Sequence, residues 1–356
     1  MNPSVRAALI AGVMMTASAA HPDPGPEADP APHPAPHVEV LDFADLDGWA
    51  EDDHAAALRV FLETCPDLRD PDWSALCAAA HADPDPRSFF ELFFRPVLIT
   101  DDRDPMFTGY YEPELDGSRV ETPRFRYPVY RMPEEARNGK WLSRREILSG
   151  ELMRDRGLEI AWVDDPVELF FLQIQGSGRI RLADGTHIRV GYGGSNGHDY
   201  RSVGAELVRR GIYNAHQVSA QVIKNWVRRN PTDGEELLYH NPSYVFFREV
   251  TRVSPERGPL GAMNRSVTAM RSVAVDPAYV PLGAPVWIEK AGKRPLHRLM
   301  VAQDTGSAIK GPQRADIFMG TGDKAGRAAG KLRDGGRLVV LLPIQRAYAM
   351  LPEAVQ

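Results

Sequence analysis

From residue 96 onward the chain is written in short runs of β-branched and aromatic residues, each broken by Gly, Pro, Asn or Asp. That texture predicts antiparallel strands with tight turns rather than long helices. The runs fall at residues 96–100, 107–111, 126–130, 169–174, 180–182 and 187–192, then at 244–248, 271–275, 285–288, 299–303 and 337–342. Apolar residues at helical spacing predict three short helices ahead of them, at 52–65, 73–81 and 87–94, and a helical interlude at 203–210 and 215–229. The expected class is mainly β with helices. One or two small closed barrels are the natural way to hide so many short strand edges.

Length and charge bound the function. A chain of 356 residues is expected to hold about two domains. Its 42 Lys+Arg against 48 Asp+Glu give a formal charge of -6, which excludes a protein that coats nucleic acid with a basic surface. Two cysteines exclude a disulfide scaffold and a four-thiolate metal site.

Residues 1–20 follow the order of an export signal: Arg6, an apolar stretch over 7–15, and small residues ending Ala17-Ser18-Ala19-Ala20. Residues 21–38 read as a Pro-rich, solvated linker. Its histidines have no ligand frame around them, and neither a metal nor another cofactor is expected. No cysteine follows the signal, so no lipid anchor is predicted, and the expected product is a periplasmic monomer. Export leaves two readings for Cys65 and Cys77: a disulfide closing the loop between two helical patterns, or two buried free thiols.

No common metalloprotease, serine-hydrolase or phosphate-loop motif is present. What remains is a set of polar clusters within strand-rich sequence. The densest runs from Gln303-Asp304-Thr305-Gly306 through Lys310 to Arg314-Ala315-Asp316-Ile317-Phe318. Asp276, Asp304 and Asp316 all stand at strand ends, where they either cap turns or share a site. Gln173 and Gln175 alternate along an expected strand and so face one side. Gly191-Tyr192-Gly193-Gly194-Ser195-Asn196 lets backbone approach a ligand closely. Phe107-Thr108-Gly109-Tyr110-Tyr111-Glu112 adds aromatics and a carboxylate. Aromatics, amides and acids without metal ligands suit a carbohydrate groove.

These clusters in this order resemble the membrane-bound lytic murein transglycosylase A family of peptidoglycan-cleaving enzymes, with its C-terminal three-aspartate domain. The resemblance is carried by FTGYYEPEL from Phe107, FFLQIQGSGRIRLADG from Phe170, VGYGGSNGHDY from Val190, NPSYVFF from Asn241, SVAVDPAYVPLG from Ser272 and AQDTGSAIKGPQRADIFMG from Ala302. It implies a double-psi β-barrel main domain, built from residues 39–110 (its helical part) and 201–350, with a smaller β-barrel inserted at 111–200. A glycan strand would lie between them. The resemblance implies Asp316 as catalytic residue, Asp304 as its companion and Asp276 as an auxiliary. Sugar groups would be held by Glu112, Gln173, Gln175, Ser177, Tyr192, Ser195, Asn196, Tyr244 and Lys310.

The implied reaction breaks the β-1,4 bond between N-acetylmuramic acid and N-acetylglucosamine without water. The muramyl C6 hydroxyl attacks C1 and closes a 1,6-anhydro ring, so one carboxyl serves first as acid and then as base. Half-protonation at pH 7 demands that Asp316 lie about 3 units above the ordinary aspartate value. The alternatives are an inverting hydrolase using Asp304 and Asp316, and a non-catalytic peptidoglycan-binding protein.

Overall fold

The computed structural model describes residues 36–351 apart from positions 150 and 255. The export signal and all but the end of the linker lie outside the described residues. The last linker residues, His37 and Val38, already belong to a strand, β1 (His37–Val40).

Three helices follow, α1 (His54–Thr64), α2 (Pro71–His81) and α3 (Pro86–Phe93). Each begins on an aspartate whose side chain accepts a first-turn N–H: Asp53 from Ala56, Asp70 from Asp72 and Asp85 from Ser88. Their apolar faces meet in an aromatic nest of Phe61, Trp73, Phe89, Phe90 and Phe94, with ring centroids 5.2–6.5 Å apart. A disulfide joins Cys65 to Cys77 across the α1–α2 loop, with Cα atoms 5.5 Å apart. Replacing both cysteines by serine is expected to cost about 3 kcal/mol, read as a lowered thermal midpoint. The circular-dichroism signal of the folded protein at 25 °C should stay unchanged, because the bridge lies in the helical cap.

The chain continues through β2 (Phe94–Thr100), β3 (Met106–Glu112), β4 (Glu114–Ser118), β5 (Tyr127–Tyr130), α4 (Arg144–Ser149), β6 (Glu159–Val163), α5 (Pro166–Gln175), β7 (Gly178–Arg181) and β8 (His187–Ser195). After α6 (Val203–Arg209), α7 (Ala220–Arg229) and α8 (Pro231–Tyr239) come β9 (Val245–Glu249), β10 (Ser272–Val275), β11 (Pro285–Lys290), β12 (Leu296–Asp304) and β13 (Arg314–Thr321). The final elements are α9 (Gly322–Ala329), β14 (Arg333–Asp334), β15 (Gly336–Pro343) and α10 (Ile344–Ala349).

Among the described residues the strands form two mixed sheets. One has nine strands in the order β1-β2-β15-β11-β12-β10-β13-β3-β14, the other six in the order β5-β6-β4-β7-β8-β9. The larger sheet and α1–α3 share one core, in which β15 contributes the continuous apolar run Leu338–Leu342. No helix among the described residues is long and apolar enough to cross a membrane.

Three expectations need correction. Not every strand pair is antiparallel: β10 runs parallel to β12, β3 to β13 and β4 to β7. Such pairs join strands distant in sequence, so local turn chemistry cannot reveal them. The expected end of the insert at residue 200 is too early, because β9 pairs antiparallel with β8 and completes the smaller sheet. Residues 169–174 are helix, not strand. Asp165 caps α5 by accepting the Val167 and Glu168 N–H groups, Pro166 fills its first turn, and Gly176 ends it at φ 75°. Periodicity misleads here because α5 is apolar almost all round, burying Val167, Leu169, Phe170, Phe171 and Leu172.

Candidate active site

The two aspartates meet across a single short residue. In the large sheet Ala274 of β10 is registered against Asp304 of β12 on one side and Asp316 of β13 on the other. The backbones carrying the acids are therefore two strand spacings apart, about 10 Å. Strand alternation sends Ala315 and Ile317 into the core and leaves Asp316 on the opposite face, half-buried. β3 closes the site from the far side, with Thr108 opposite Asp316. Thr108 and Tyr110 are two residues apart on that strand, so they share its face. The Thr108 hydroxyl donates to Asp316 Oδ1 at 2.7 Å, and the Tyr110 hydroxyl donates to Asp304 Oδ2 at 2.9 Å.

Asp304 accepts two further bonds, from the N–H groups of Ala262 and Thr305, both at 2.9 Å. The loop carrying Ala262 lies so close that a Cβ on Gly261 would stand 2.6 Å from the Gln303 carbonyl oxygen, so only glycine fits. Burial raises the Asp304 pKa, against these hydrogen bonds, which favour the charged form. Tyr110 is pushed well above its ordinary range by burial and then by Asp304, and remains a hydroxyl donor.

Burial raises Asp316 to about 6, and the nearby Asp304 charge adds to the rise. The Thr108 bond and the Arg314 guanidinium work against it. The value falls short of the 3-unit rise that half-protonation at pH 7 demands, and those two neighbours are the reason. Arg314 is the cation that bears on Asp316. Lys310 is exposed and is not among the groups that act on Asp316. Thr108→Val is expected to move the alkaline limb of the pH–rate profile to higher pH, because it removes the hydroxyl that favours the carboxylate. A pH–rate profile of the variant beside the parent measures the shift.

The remaining sequence-predicted residues divide. Asp276 is buried at the end of β10 and accepts the Ala278 and Gly311 N–H groups at 3.2 and 2.9 Å, tying down the loop between Asp304 and Asp316. Four proposed sugar ligands are buried, and three of them have side-chain polar atoms bonded to protein. Glu112 is fully buried between Arg179, Arg189 and Thr321. Gln173 accepts from Arg144. Asn196 donates to the Leu142 and Pro242 carbonyls and accepts from the Tyr244 N–H, and Tyr244 itself is 1% exposed. The two glutamines do not face one way, since two helical residues differ by about 200°. Gln175 instead accepts the Tyr111 N–H at 3.1 Å, linking α5 to β3. Ser177 is buried just beyond α5, Ser195 is partly exposed at the end of β8, and Tyr192 is 56% exposed. Thr108 and Arg314 escaped the sequence reading as partners of the acids. Their strand alternation was visible, but the parallel β3–β13 pairing that brings them in was not.

The chain also resembles known proteins in sequence and in structure. The model of the MltA specific insert domain matches residues 106–248, and the 3D domain model matches residues 271–342. The membrane-bound lytic murein transglycosylase A of Escherichia coli (strain K12) is 37% identical over 245 residues, 66% of this chain and 65% of its own length. The chain thus matches a little under two thirds of that relative. The crystal structure of a membrane-bound lytic murein transglycosylase from Agrobacterium tumefaciens is 32% identical with a TM-score of 0.79, over 88% of this chain and 99% of that one. The E. coli MltA crystal structure with bound chitohexaose is 28% identical with a TM-score of 0.70, over 86% of this chain and 94% of that one. With both of its characteristic segments matched in order and a relative covered almost end to end, this chain belongs to the membrane-bound lytic murein transglycosylase A family.

Proposed function

We propose that the chain is a lytic transglycosylase that cleaves the β-1,4 bond between N-acetylmuramic acid and N-acetylglucosamine in peptidoglycan and leaves 1,6-anhydromuramyl ends. One observation carries the reading: a half-buried carboxyl, Asp316, is held at about 6 beside a second acid and a hydroxyl donor. Ordinary glycosidases divide acid and nucleophile or base between two carboxylates. Here Asp304 accepts three hydrogen bonds, which suits it to remain an anion that steadies positive charge at C1. Asp316 is left to donate a proton to the departing oxygen and then take one from the muramyl C6 hydroxyl.

Family membership supports the finer assignments. We assign the nine-stranded sheet to the double-psi β-barrel and the six-stranded sheet to the smaller barrel. We place a glycan strand in the groove between them; that a relative binds chitohexaose supports a glycan ligand. Gln175, Tyr192, Ser195 and Lys310 are the sequence-predicted ligands with surface to offer it, whereas Glu112, Gln173, Asn196 and Tyr244 hold the walls in place. Residues 1–20 act as the export signal, which sends the enzyme to the periplasm.

Product mass on purified sacculi is the test. Anhydro ends are expected. Reducing ends would make the enzyme a hydrolase, and intact but bound murein would make it a wall-binding protein.

A further inference from the structure

Among the described residues the guanidinium of Arg144 is buried without a counter-ion. Arg144 opens α4 and is 3% exposed. Its Nε donates to the Asn241 carbonyl at 3.0 Å, Nη1 to the Gln173 side-chain oxygen at 2.5 Å and Nη2 to the Ser243 carbonyl at 2.6 Å. All three acceptors are neutral. The group also lies over the rings of Phe170 and Tyr244, at 4.5 and 5.3 Å from their centroids. Burial pulls its pKa down to about 10, and the only neighbours that act to restore it are tyrosines. A cation this deep is normally matched by a carboxylate, and a guanidinium has five N–H donors, of which three are used.

Arg144 lines a cleft of about 950 Å³ beside β5, β6, α5 and α8, a lining that includes neither Asp304 nor Asp316. The volume suits a small ligand. Tyr127, Trp162 and Tyr239 supply aromatic wall. Another lining arginine, Arg228, is neutralised by Asp165 and Glu168. At a second point of the cleft the charge is negative. Glu121 and Glu159 both act on the Tyr130 hydroxyl, with Arg154 opposing them. The cleft therefore offers an unmatched buried cation, a separate anionic pole and apolar surface.

We propose that this cleft binds a short peptide with a free carboxylate and a free amine, the carboxylate on Arg144 and the amine toward Glu121 and Glu159. The ligand class rests on the wall reading above, since such peptides substitute the muramyl units of murein, and it adds a peptide subsite to the glycan groove. The fork of Arg144 matches a carboxylate in two places, which gives the contact direction as well as strength.

The probe is the tripeptide Ala-Ala-Lys with free ends, titrated into the 15N-labelled chain and followed by amide chemical shifts. Saturable shifts are expected at residues around the cleft. The C-terminal amide of the same peptide should bind at least about tenfold more weakly, since one charged hydrogen-bonded contact is lost. Glu159→Gln, a substitution in the cleft wall, should weaken the free peptide severalfold. Arg144→Lys keeps the charge but not the fork, and should weaken it as well. If that variant does not fold, the acid-against-amide comparison on the parent chain still decides. Equal binding of acid and amide, shifts confined to the strands that carry Asp304 and Asp316, or no saturation at about 10 mM peptide would overturn the proposal. Asp316→Asn should bind the peptide like the parent while losing turnover, so failure of the peptide subsite and failure of the transglycosylase reading are separable.

Discussion

Asp316→Asn is expected to lose about 10³-fold or more in turnover on sacculi while gaining stability at neutral pH. The catalytic half follows from the site: an amide neither gives up nor takes the proton that both steps move. The parent's kcat/KM should fall about tenfold per pH unit above about 6, because the first step needs the protonated acid and its fraction shrinks as pH rises. The stability half follows from the same shift. The native carboxyl binds its proton more tightly than the unfolded chain does, so stability is greatest at low pH. It declines as pH climbs from the ordinary aspartate value toward about 6, and stays reduced above it. Two units correspond to about 3 kcal/mol at most. The value of about 6 already includes the attraction of Arg314; discounted for the solvent that reaches the half-buried carboxyl, a net gain of about 1–2 kcal/mol at pH 7.5 is expected, vanishing near pH 4. Thermal unfolding of both proteins at the two pH values reads the difference. A variant no more stable than its parent at pH 7.5 would mean that Asp316 carries its charge without cost, and the acid step would need another residue.

How much of this was legible beforehand depended on whether the signal was local. The helices α1–α3 announced themselves through an aspartate before an apolar face, and the strand bearing Asp316 through Ala315 and Ile317 alternating with polar residues. The aspartates as a set were visible as well, because acids stand out at the ends of apolar runs. Their partners were not. Thr108 and Tyr110 lie about 200 residues from the acids they bond, and only the parallel pairing of β3 with β13 unites them. Burial was equally hidden. Glu112, Asn196 and Tyr244 looked like ligands because polar residues beside glycines often are, yet folding places arginines, carbonyls or backbone amides against the first two and buries the third. The error at 169–174 has a different cause. An apolar run of that length fits a buried strand or a buried helix, and the decisive evidence lay in its flanks, Asp165-Pro166 before it and Gly176 after it. Reading the caps first would have made α5 a helix and separated Gln173 from Gln175.

Glu112 offers the largest expected stability effect. It ends β3 in the nine-stranded sheet, and its carboxylate is held by two arginines of the six-stranded sheet, Arg179 of β7 at 2.9 Å and Arg189 of β8 at 3.2 Å. The Thr321 hydroxyl, from β13, donates to the same group at 2.8 Å. Both arginines also reach the carbonyl oxygen of Arg257, so one carboxylate fastens strands of both sheets and the loop that follows β9. Glu112→Ala leaves two guanidinium groups facing each other, one of them nine-tenths buried, without the carboxylate that joins them. Removing one partner of such a buried cluster costs about 3–5 kcal/mol, a large part of the roughly 5–15 kcal/mol that holds a domain folded. Urea unfolding should show a midpoint lowered accordingly. Glu112→Gln should fall between the two, since its amide oxygen still accepts but no longer offsets the positive charge. Were Glu112 a sugar ligand instead, Glu112→Ala would raise KM and leave the urea midpoint where it was. Loss of stability with KM on soluble glycan unchanged in the surviving folded fraction is the outcome that the buried geometry requires.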